Sequence, residues 1–192
     1  MQTLIHYSIQ KIDELFVEFN RVQEMYYSKS FEFDTCLEHF CIALLDYFKQ
    51  KGDNAKESEI LKTMNMLSAT KKGFDPVNLV KINSGKRELL SGLSYHALEN
   101  IHRILQEIYQ KERKKLDDGE EILSNLIITL YQNGILDDVK IAEFNSIATI
   151  ELYWVQLISK NTSIAGINKK LRLHLADEDI YLLLEKILSK IA

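Results

Sequence analysis

Two cysteines and a histidine, residue types that bind zinc or carry thiol chemistry, stand close together in the stretch FDTCLEHFCIALLDYF, at Cys36, His39 and Cys41. The spacing does not suit one ion. Each residue of an α-helix advances roughly 100°, so Cys36 and His39 lie about 60° apart while Cys36 and Cys41 differ by about 140°. A structural zinc would need two further ligands, and no second C-x2-C or H-x3-H pair exists in the chain. Around a face centred on Leu44, with Leu37, Phe40, Cys41, Tyr47 and Phe48, both cysteines fall inside or at the edge of the apolar sector and His39 points nearly opposite. The two thiols are therefore expected to pack as small hydrophobes.

Glu99 and His102 spell the E-x-x-H pair that di-iron helical bundles use on two of their helices. The second copy is missing, because His6, His39, His96 and His174 are preceded at three positions by Thr3, Cys36, Leu93 and Leu171. With Ile101 at the centre of its helix's apolar face, Glu99 lies about 160° round and His102 about 100° round, so the pair looks outward. Nucleophile and phosphate-loop patterns (G-x-S-x-G, G-x4-G-K-[ST], G-x-G-x-x-G) are absent. None of Arg21, Arg87, Arg103, Arg113 or Arg172 has a histidine four to six residues downstream, as one class of helical ribonuclease requires. No catalytic residue, metal ligand or cofactor is assigned on these grounds.

Charge supplies two more candidates. Lys111, Arg113, Lys114 and Lys115 sit at the end of a long helical pattern, where cations complement the helix dipole, and are followed at once by Asp117, Asp118, Glu120 and Glu121. A second basic cluster, Lys169, Lys170, Arg172 and His174, is less balanced, but no aromatic residues interleave it as stacking surfaces for single strands would require. With a formal net charge of −4, the chain as a whole argues against nucleic acid as a partner.

The elements that must position these residues are helical. Seven glycines and one proline among 192 residues are well below the usual ~7% and ~5%, leaving few turn residues for many short strands. Ile5, Ile9, Ile12, Phe16, Phe19 and Tyr26 mark a long amphipathic helix from Leu4 to about Tyr27. Thr35 with Glu38 reads as a capping box restarting helix to about Phe48, and Asn54 with Glu57 opens a third helix ending near Lys71, Lys72 and Gly73. Asp75 and Pro76 signal a short helix, and NSGKRELLSG another brief one. Ser94 starts a long helix to about Lys115, QKERKKLDDGEE holds a turn, and a further helix stops at Asn133 and Gly134. One helix is expected from Asp137 or Asp138 to Lys160, and Asp177 caps a closing one after a short basic piece.

The helix over residues 138–160 is apolar nearly all round: Ile141, Phe144, Ala148, Leu152 and Val155 share one face, and Ile150, Tyr153, Trp154 and Leu157 cover the other side. Such a helix is either central in a fold or covered by a partner. Glu151 falls roughly 60° from the centre of the first face and is expected to be paired or neutralised there; Asp46 raises the same question more weakly. The closing helix carries a stripe of Ile180, Leu183, Leu184, Ile187 and Leu188, with Tyr181 beside it.

The expectation is thus an all-α protein, a single domain over residues 1–192, built as a bundle of about six main helices and several short ones with mostly antiparallel neighbours. Two cysteines close in sequence do not make a disulfide framework, and Asp13 and Glu14 interrupt any leader-like apolar run, which points to a cytoplasmic chain; no stretch is long and apolar enough to span a membrane. The functional expectation is a non-catalytic interaction protein, an adaptor, assembly component or inhibitor-like binder, whose partner is another protein or a second copy. Tyr153, Trp154, Leu157, Tyr181, Leu184 and Leu188 are the candidate contact residues. The competing classes are an enzyme built from carboxylates and histidines converging from separate helices, metal-dependent or not, and a nucleic-acid-associated regulator.

Overall fold

The computed structural model describes residues 4–191, and within them the chain is an all-helical bundle. Eight helices follow one another: α1 (Ile5–Tyr27), α2 (Phe33–Lys51), α3 (Asn54–Lys71), α4 (Lys86–Gln132), α5 (Asp138–Ala142), α6 (Ile147–Lys160), α7 (Thr162–Leu171) and α8 (Asp177–Leu188). They divide into two compact units: a central unit, Ile12–Ile108, and a terminal unit made of Met1–Lys11 with Tyr109–Ala192. Each has its own core. In the central unit Phe19, Phe40, Leu44, Phe48, Ile60, Ile101, Ile104 and Leu105 are fully buried, and α2 packs along α3. The terminal unit gathers Leu123, Ile127, Leu136, Ile150, Trp154, Leu175, Ile180 and Leu183, with α6 packed on both α7 and α8.

The largest departure from the sequence reading is α4. Its 47 residues run without interruption through two segments expected to be turns, around Gly92 and over QKERKKLDDGEE. Buried Leu116 and Leu123 carry the apolar stripe across the charged run, and its charges pair at helical spacing, Lys115 with Glu112 (2.9 Å) and Arg113 with Asp117 (3.2 Å). Gly119 is not a breaker but a contact. A methyl group there would lie 2.6 Å from Leu175 Cδ1 and 3.3 Å from Leu183 Cδ1, so the bare backbone is what lets these leucines close against α4.

Smaller differences have local causes. The Thr35–Glu38 capping box does not form, because a tight turn through Lys29, whose φ is 55°, already admits the chain to α2 at Phe33. α3 is capped by Asp53, one residue earlier than expected, its carboxylate accepting from Lys56 N–H. Asp75 does cap a turn, accepting from Val77 and Asn78 N–H at 2.9 and 2.8 Å. Leu79 then turns left-handed (φ 56°), so no helix follows. The helix expected over 138–160 is two, because Ser146 and Thr149 form their own capping box and start α6 afresh.

At the beginning of α1 the first N–H groups need acceptors from outside the helix. Asp179, fully buried in the first turn of α8, provides them: its carboxylate accepts from Ile5 N–H (2.9 Å) and His6 N–H (3.1 Å), and also from Ala176 N–H (3.3 Å) in its own helix's first turn. His6 Nδ1 stands 2.7 Å from the same carboxylate. Burial alone would raise the Asp179 pKa, but these hydrogen bonds outweigh it and hold the carboxyl below its ordinary value.

Candidate binding surfaces

In the terminal unit the two basic clusters, some 55 residues apart in sequence, meet. A pocket of about 630 Å³ lies between α4 and the end of α7 with the turn that follows it. From α4, Lys111, Lys114, Lys115, Asp118, Gly119, Glu121, Ile122 and Asn125 recur at helical spacing along one side. Lys170, Leu171, His174 and Leu175 close the other. The Leu175 contact at Gly119 seats this turn on α4, so the glycine that interrupts the charged run in sequence fixes the wall of the pocket.

The floor is apolar, from Leu171, Leu175 and Ile122, and the rim is charged. Some of that charge is already spent: Lys115 pairs with Glu112, and just outside the pocket Arg113 pairs with Asp117 and Arg172 with Asp177 (2.9 Å). Glu120 takes both Lys186 (2.6 Å) and Lys190 (3.0 Å), whose hydrogen bonds lower its pKa. Among the described residues Lys111, Lys114 and Lys170 make no ion pair, and neither do Asp118 and Glu121. His174 shares the cavity with those two carboxylates but makes no hydrogen bond or ion pair with either, so no acid–base dyad is assembled there.

α6 presents the second surface. Its buried side is Ile150, Trp154 and Leu157, and the Trp154 indole donates to Asn168 Oδ1 of α7 at 3.1 Å. Its opposite side is Ala148, Leu152 and Val155, with Leu152 65% and Val155 53% exposed. The helix is apolar on both sides, as its sequence indicates, but only one side is covered. Of the six candidate contact residues, Trp154, Leu157, Leu184 and Leu188 lie in the terminal core, at most 8% exposed. Tyr153 and Tyr181 are half-buried at its edge, and burial raises the pKa of both phenols. The apolar side chains of α6 that face outward are Leu152 and Val155, two residues of the first apolar face, while the expected contact residues Trp154 and Leu157 are the covered ones.

That inversion also resolves Glu151, which is exposed, as is Asp46. Among the described residues the buried carboxylate is instead Asp179, which reads in sequence as one more acid in a helix's first turn. Cys41 is fully buried in the central core, where desolvation and then the Glu38 charge push its thiol up to about 12, Cys36 is half-buried beside it, and His39 is exposed. Glu99 is exposed and lies 3.8 Å from His96, while the His102 ring stacks on Phe19 at 5.4 Å. Among the described residues no group of three or more His, Cys, Asp or Glu side chains is placed to hold a metal ion, and no helix is long and apolar enough to cross a membrane. No protein-family model matches the chain, and no curated protein or solved structure matches it significantly.

Proposed function

We propose that this chain is a non-catalytic binding protein whose partner is another protein, engaged at the outer side of α6. The observation that carries the reading is the pair Leu152 and Val155, more than half exposed on a helix whose other side is already packed. Leaving two branched aliphatic side chains in water on one stripe forgoes the burial of both, roughly 1.5–3 kcal/mol for each if fully covered. Ala148 extends the stripe, and Tyr153 of α6 and Tyr181 of α8 stand half-buried at the edge of the terminal core with polar tips of the kind common at interfaces. The surface suits an apolar helical face of a partner laid along α6.

A photo-crosslinking side chain placed at Leu152 or Val155 in the living cell tests this. Discrete protein adducts should form from both positions and not from a control at Lys62 on the central unit. Absence of adducts at 152 and 155, or the same adducts at 62, would overturn the reading. Light scattering at several protein concentrations identifies the partner's kind: a mass that rises with concentration and falls back in Leu152→Lys means a second copy.

A further inference from the structure

We infer that the pocket between α4 and α7 binds a small amphiphile with a single negative charge, a carboxylate on a compact aliphatic body. This does not depend on the α6 reading. The volume, about 630 Å³, is within the range of small-molecule sites, ~300–1,000 Å³. Leu171 and Leu175, both buried, give the body an apolar floor with Ile122. Three ammonium groups without an ion-pair partner among the described residues, on Lys111, Lys114 and Lys170, come to it from two helices that are far apart in sequence.

The charge arithmetic selects the ligand's head group. Lys115 is committed to Glu112, which leaves three free lysines against two free carboxylates, Asp118 and Glu121, and so about one uncompensated positive charge on the rim. One negative charge neutralises that rim; a second meets carboxylates within the same cavity. A polyanion such as nucleic acid, whose affinity comes from many phosphates meeting many cations, is disfavoured on the same count. A neutral alcohol of equal length would cover the floor but leave the lysines unanswered.

Titration calorimetry of the full chain with decanoate, decanol, decyl phosphate and a 20-base-pair DNA duplex tests the assignment. Decanoate should bind saturably at one site, at least about tenfold more tightly than decanol, a ratio equivalent to ~1.4 kcal/mol, and no less tightly than decyl phosphate. Lys114→Glu with Lys170→Glu should weaken decanoate about tenfold or more, Asp118→Asn should tighten it, and Lys62→Glu on the central unit should leave it unchanged. Equal affinity for decanoate and decanol, unaltered binding in the lysine variant, displacement of decanoate by the duplex, or no decanoate binding at all would each overturn the inference. Asp118→Asn, an exposed change, keeps the test decisive if the double lysine variant fails to fold.

Discussion

The two halves of α4 carry similar charge and use it differently. In the central unit, Arg103 donates to Glu59 (2.5 Å), Glu107 (2.5 Å) and Asn100 (2.6 Å), and Lys56 also reaches Glu107, so the charges on that stretch answer one another. These hydrogen bonds, that from Lys56 first, lower the Glu107 pKa. In the terminal unit, Lys111, Lys114 and Lys170 line a concavity and have no such answer among the described residues. Composition cannot tell these cases apart, since both read as charged helical surface. What separates them is compensation, and a cation left without it beside an apolar floor is where a ligand's charge has something to gain.

The comparison can be pressed hardest at Asp179. Asp179→Ala removes the acceptor of three N–H groups, two of them at the start of α1, and should cost about 3 kcal/mol or more, the usual consequence of stranding buried polar groups. The loss should show in urea unfolding followed by Trp154 fluorescence, with Cys41 in the central unit retaining more of its protection from thiol reagents. In the wild type the sign with pH follows from the lowered carboxyl pKa. Its contribution is complete above the ordinary value of 3.8 and is lost as pH falls through the lower folded value. An acid titration that leaves the Trp154 signal untouched below pH 3.8 would remove Asp179 from this role.

The two glycines of α4 sharpen the comparison with smaller effects of opposite sign. Gly92→Ala has open space, nothing within 4 Å of the new methyl group, and should stabilise by roughly 0.5–1 kcal/mol through helix propensity. Gly119→Ala meets Leu175 and Leu183, and overpacking of about 1–3 kcal/mol should outweigh that gain. Thermal melts of the two single variants decide the matter, and a stabilised Gly119→Ala would show that the leucines yield freely. The smallest effect belongs to the compensated network. Glu107→Gln should lower the melting temperature slightly in low salt and not measurably in high salt, because the group is exposed and screened.

Much of the fold was legible because helical periodicity and stop signals are local. α1, the end of α3 at Lys71 and the stop at Gly134 all rest on neighbouring residues, and so does the outward direction of His39 and Glu99. The failures have one origin. Gly119 in a run of charges looks like a turn until Leu175, far along the chain, is known to rest on it. Periodicity groups Ile141 and Phe144 with Ala148, Leu152 and Val155 only if one helix runs through residues 143–146; once Ser146 restarts it, the buried side is set by Trp154 and Ile150. Ser146 with Thr149 was the available signal, a capping pair with threonine in place of the more familiar glutamate. Both basic clusters were visible, but their convergence is a tertiary event with no counterpart in spacing.

The bond between the start of α1 and Asp179 spans 174 positions of the chain. As the polypeptide leaves the ribosome, every residue of the central unit is available well before that carboxylate emerges, and domains generally fold as units in order of synthesis. The opening turn of α1 must therefore wait for its acceptor through most of translation. A chain truncated before Asp179 should strand those N–H groups even where its central core has formed.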